Sequence, residues 1–101
     1  MTFDERKHLH KSAVSLANKL EDESTTVSDI EPFDITVETT IDGRITEIRL
    51  ADGQGPHTEI ELGSEMIAAY SHGESVRVHF DNSELADELW NYYTDLYEDN
   101  Q

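Results

Sequence analysis

The 101-residue chain contains no cysteine. No disulfide framework can staple it, and any zinc site would need three or four histidine and carboxylate ligands. Long apolar runs are missing as well. Nothing approaches 18 consecutive apolar residues, which excludes a membrane-spanning helix. The opening residues, MTFDERKHLHKS, lack the apolar run of a secretory signal. These absences predict a cytoplasmic protein that does not engage a membrane. No HExxH, CxxC, P-loop, GxSxG or dinucleotide fingerprint is present, and no internal repeat. The sequence names no reaction.

Positive charge is scarce. Seven Lys and Arg stand against 23 Asp and Glu, for a net charge of −16. Direct binding to nucleic acid through phosphate contacts is disfavoured, because that mode needs a concentrated basic patch. In dilute buffer such self-repulsion destabilises a compact state. In multimolar salt the Debye length falls to about 1.5–3 Å and the repulsion is largely screened. The acids are scattered through strands, turns and helices rather than gathered in a tail, which favours adaptation to a salty solvent over an acidic docking patch. An acidic mimic of nucleic acid, occupying a basic protein, is the alternative that this composition leaves open.

Against these absences stands a clear β pattern between Phe33 and Phe80. Five runs, at 33–41, 44–50, 57–62, 66–70 and 76–80, are rich in β-branched or aromatic residues and bounded by turn chemistry. Asp42-Gly43 predicts a two-residue hairpin loop, since its glycine tolerates positive φ. Asp52 to Pro56 reads as a longer loop, and His72 to Ser75 closes the last hairpin. Connections this short leave no room for parallel crossovers, so the strands should form an antiparallel meander in sequence order. Alternation places Ile35, Val37, Ile48, Leu50, Ile60, Leu62, Ile67, Ala69, Val76, Val78 and Phe80 on one face. The other face takes Thr36, Glu38, Glu47, Arg49, His57, Glu59, Glu61, Tyr70, His72, Arg77 and His79. One face needs a cover and the other does not.

Helices flank the meander. Over 4–20, Leu9, Ala13, Leu16, Ala17 and Leu20 recur at helical spacing, with Val14 at the edge and His10 within the stripe as a packed residue. This is the one basic part of the chain: residues 1–20 carry +2 and the remainder −18. That contrast would help the helix dock on its own sheet or on a neighbour's. Residues 21–31 read as a polar, acidic linker. Asp81-Asn82-Ser83 is a helix-start cluster for a second helix over 84–98. Its apolar stripe of Leu85, Ala86, Leu89, Trp90, Tyr92, Tyr93, Leu96 and Tyr97 is wider than one sheet can cover, so Trp90, Tyr93 and Tyr97 are candidate contact residues.

Five histidines invite a metal or acid–base reading. His8 and His10 point about 200° apart on a helix and cannot chelate one ion. On the polar sheet face the alternation sets His57 opposite His72, Glu59 opposite Tyr70 and Ala68 opposite His79, with Arg77 beside Tyr70. His57, Glu59, His72 and His79 are thus candidate ligands for a divalent metal, or candidate acid–base groups. An ordinary solvated β-face decorated with polar groups is the plainer account, since a one-residue slip dissolves the cluster. Arg49 and Arg77, two of the seven cations, and the half-apolar Tyr70 on this face suit a contact surface better.

The order helix, meander, helix, with GPHTEIEL at the third strand and an aromatic acidic C-terminal helix, resembles a family of small acidic haloarchaeal proteins. That family has no assigned activity, so the resemblance implies fold and source and carries over no catalytic residue, and no cofactor. The reading is a single two-layer α+β domain: a five-strand antiparallel sheet with both helices on one face. It acts without catalysis, by forming a homodimer or by binding another protein.

Overall fold

The alternation in the middle of the chain does build one five-stranded antiparallel sheet with neighbours in sequence order. The computed structural model describes residues 3–52, 57–71 and 73–99. Helix α1 (Phe3–Glu21) is followed by a single 3-10 turn (Val27–Asp29) and strands β1 (Asp34–Thr39), β2 (Ile45–Asp52), β3 (His57–Glu61), β4 (Met66–Ser71) and β5 (Glu74–His79). Helix α2 (Ser83–Asp99) completes the chain. Both helices lie on the apolar face, α1 over β4 and β5, and α2 toward β2 and the 3-10 turn. No helix of the described residues is long and apolar enough to cross a membrane.

Burial follows the period of each element. On α1, Leu9, Ala13, Leu16, Ala17 and Leu20 are buried, and they meet Ile48, Leu50, Ile60, Ile67, Ala69, Val76 and Phe80 from the sheet. Leu85, Ala86, Leu89 and Tyr93 of α2 complete the same core. His10 is exposed, contrary to its expected place in the stripe, because α1 turns its Leu9–Leu20 side to the sheet and His10 falls outside that contact. Segment 21–31 is likewise more than a linker. Ile30 is a core residue and Val27 packs against it, while Asp29 and Thr26 fix the turn between them through Thr26 N–H to Asp29 Oδ2 at 2.8 Å. Two apolar side chains suffice to dock an otherwise acidic segment.

Local polar groups set the joints. Asn82 caps α2 by accepting from Leu85 N–H at 3.1 Å, and its amide donates to Leu20 O at 2.8 Å, tying the start of α2 to the end of α1. The β1–β2 loop differs from the expected two-residue form. Gly43 N–H donates to Thr40 O and Thr40 N–H to Arg44 O, with Gly43 at φ +89°, so three residues turn the chain. A tight turn followed by a left-handed glycine is the three-residue solution, and a separate bulge at Thr46 shifts the register between Glu38 and Thr39. The β3–β4 turn is stapled from β2: Glu47 accepts from Gly63 N–H at 2.5 Å and from Ser64 Oγ at 3.1 Å.

Candidate functional site

The uncovered face of the sheet carries the polar residues that alternation assigned to it, but the pairing along it is shifted by two residues. His57 lies opposite Tyr70, not His72; Glu59 opposite Ala68, not Tyr70; and Ala68 opposite Arg77, not His79. His79 instead faces Met66. The shift arises at the turns. Glu65, at φ +54°, tightens the β3–β4 connection, and β4–β5 pairing continues out to Ser71↔Glu74. An even shift leaves every side chain on its assigned face and changes only its neighbours.

At the centre of this face sits Glu61, only 5% exposed although no helix covers it. Two guanidiniums close over it: Arg77 Nε donates to Oε1 at 3.1 Å, and Arg49 Nε stands 3.5 Å from Oε2. Arg49 reaches on to Glu38 through Nη2. The neighbouring Ala68 carries only a methyl group, too short to hold the arginines off, and it is itself fully buried. The hydrogen bond from Arg77 to Glu61, followed by the Glu61 charge, raises the guanidinium pKa above its ordinary value.

Above this lies a second row. Phe33 meets His57 edge-on at 6.3 Å, and His57 meets Tyr70 at 5.6 Å. The Arg77 guanidinium lies 5.9 Å from the Tyr70 centroid and donates to the Tyr70 hydroxyl at 3.4 Å and to Ser75 Oγ at 3.1 Å. Burial, then the Glu59 charge, pushes the Tyr70 hydroxyl pKa up, against the pull of Arg77. Aromatic and cationic groups therefore run as one strip from the β1 edge to β5. Sequence reasoning placed Arg49, Tyr70 and Arg77 here; Phe33 was missed, because alternation assigns it the opposite side. It sits outside β1, and its N–H donates to Ala51 O.

Of the four candidate metal or acid–base residues, His57 and Glu59 come together, Nε2 to Oε1 at 3.0 Å. His79 is two strands and four residues away, on the order of 15 Å. His72 lies outside the described residues. Among the described residues no group of three His, Asp or Glu is placed to hold a metal ion.

On α2 the exposed aromatic edge is not the one expected. Tyr93 is buried, and Trp90 is half-buried against the core, since α2 rolls these rings inward. Burial raises the Tyr93 pKa. Tyr97 is half-buried; Tyr92, 53% exposed, and Leu96, 42% exposed, form the outer edge instead. Leu96 falls on the same arc of α2 as Leu85, Leu89 and Tyr93 at 3.6 residues per turn, so the last turn of the helix projects past the sheet that covers the earlier ones. Between α2 and residues 26–31 runs an open groove of about 550 Å³, lined by Val27, Ile30, Glu31, Glu88, Tyr92 and Tyr93 among others.

No family model, curated protein or solved structure matches the chain.

Proposed function

We propose that this is a non-catalytic protein-binding module of a high-salt cytoplasm that associates with a second copy of itself through its open sheet face. The carrying observation is the strip Phe33–His57–Tyr70–Arg77, anchored beside the Arg49–Glu61–Arg77 cluster. Tyrosine and arginine are residues that concentrate binding energy at protein interfaces. Their rotamers are held in advance by hydrogen bonds, so little side-chain entropy is lost on contact. A net charge of −16, and the resemblance to acidic haloarchaeal proteins, support the high-salt setting.

Equilibrium sedimentation in about 3 M potassium chloride, where screening removes the global repulsion, tests this reading. The wild-type chain should be a dimer and Tyr70→Ala should shift it toward monomer. A monomeric wild type, or a Tyr70→Ala variant that dimerises as before, would remove the open face as the contact. The same run with added zinc tests the histidine reading, for uptake abolished by His57→Ala would put a metal site in its place.

A further inference from the structure

From Arg6 to Leu20 there is no Asp or Glu in 15 successive residues, although 23 of the chain's 101 residues are acidic. The exposed side of this stretch carries Arg6, Lys7, Lys11 and Lys19, four of the seven cations. Arg6 reaches Glu74 of β5 at 3.8 Å; Lys7 and Lys11 are one turn apart on the outer side of α1. A surface that elsewhere places acids in every element leaves one helix side free of them, which suits a side that meets an acidic partner.

The groove beside α2 offers the complementary chemistry. Its floor is the buried Ile30 and Tyr93, its lip the exposed Tyr92, whose ring meets Tyr93 edge-on at 4.9 Å. Glu31 and Glu88 stand on its two walls, both exposed. Lys19 borders a smaller neighbouring cavity with Ile30 and Glu31. An apolar and aromatic floor between carboxylates takes a long aliphatic stem that ends in a positive charge.

Building on the self-association reading, we propose a second contact: Lys7 and Lys11 of one copy dock in the α2 groove of another. Their methylene stems lie on Tyr92 and their ammonium groups meet Glu31 and Glu88. The two patches differ, so the contact is head-to-tail and can propagate beyond a dimer, unlike a two-fold pairing of open faces. Charge pairs that the contact itself buries are screened far less than exposed ones, so the docking persists in concentrated salt.

The test is charge reversal in a Tyr70→Ala background, which sets the open-face contact aside. The parent should associate more weakly than the wild type and still self-associate, through the groove contact alone, on sedimentation in about 3 M potassium chloride. Lys7→Glu/Lys11→Glu and Glu31→Lys/Glu88→Lys should each be monomeric, with unchanged circular dichroism. An equimolar mixture of the two should reassociate, since the native α1 patch of the second meets the native groove of the first and the reversed patches are complementary as well. A mixture that stays monomeric overturns the proposal, as does a Tyr70→Ala parent that shows no association while the wild type dimerises. Duplex DNA retained by the parent and lost in Lys7→Glu/Lys11→Glu, with no reassociation of the mixture, would assign the α1 strip to a phosphate partner instead. A wild type that is itself monomeric would remove both contacts, whereas a Tyr70→Ala parent whose charge-reversed variants associate as it does would remove the groove contact alone.

Discussion

Removing the Glu61 carboxylate should be the most damaging single polar change on the sheet. Breaking one partner out of a buried ion pair costs roughly 3–5 kcal/mol, because the remaining charge is left uncompensated. Here the arginine side chains are 34% and 45% exposed, so water recovers part of the loss. Discounting for that screening puts Glu61→Ala at about 2 kcal/mol. In a chain this short, such a loss lowers Tm by roughly 8–16 °C. Urea titrations of Glu61→Ala, Arg77→Ala and the double variant close a cycle whose coupling should reach about 1–2 kcal/mol. Repeating the cycle in about 3 M potassium chloride should leave most of that coupling, since Glu61 is shielded from the salt. Arg6 and Glu74 provide the contrast. At 3.8 Å, with side chains 60% and 49% exposed, their coupling should be under about 0.5 kcal/mol and should vanish in salt. A Glu61→Ala loss below about 0.5 kcal/mol, within the range of ordinary surface changes, would refute the argument. So would a Glu61–Arg77 coupling that salt erases as it does the exposed pair.

Gly63→Ala should cost about 1 kcal/mol in the same assay, because a Cβ there would stand 2.9 Å from Glu47 Oε1 and push the carboxylate off its turn. Glu47→Ala should cost about as much, and the double variant no more than either, since both remove one staple. Asp22 accepts from Ser24 N–H at 2.9 Å and from Ser24 Oγ at 2.7 Å, which holds its carboxyl below its ordinary value of 3.8. Its contribution to stability is therefore full above that value and lost as pH falls through the folded midpoint. An NMR titration should find that midpoint below 3.8, and Ser24→Ala should raise it part of the way, the backbone donor being left in place.

The sheet, its strand order and its two faces were legible because each rests on a period of two, which survives errors in turn length. What did not survive was the identity of cross-strand neighbours. The β3–β4 turn takes its form from the left-handed Glu65, from Phe80 N–H donating to Glu65 O, and from the distant Glu47. Neither the left-handed conformation of Glu65 nor its distant partners can be read from the types of the local turn residues. Hence His57 was set against His72 when its partner is Tyr70, and the aromatic strip was seen only in part. The helical stripes were read correctly in their centres and misjudged at their rims. His10 faces outward, while Trp90 and Tyr93 turn in and leave Tyr92 at the edge, because the roll of a helix is set by what it packs on. Val27 and Ile30 show the same limit from the other side: two apolar residues in an acidic run give no period to detect.

Because β1 ends the sheet, its outward N–H and C=O groups are a template on which a stray strand could grow. Proteins often guard such edges with charge, and Asp34 and Glu38 would serve in dilute buffer. Concentrated salt weakens that guard, since it rests on repulsion at a distance. What persists is geometry. The Asp34 carboxylate folds back to accept from Ile35 N–H at 3.0 Å, the strand is only six residues long, and the bulge opposite Glu38 and Thr39 bends its far end. Resistance to fibril growth should accordingly depend on the Asp34 side chain as a hydrogen-bond acceptor more than as a charge, a role that asparagine can fill and alanine cannot.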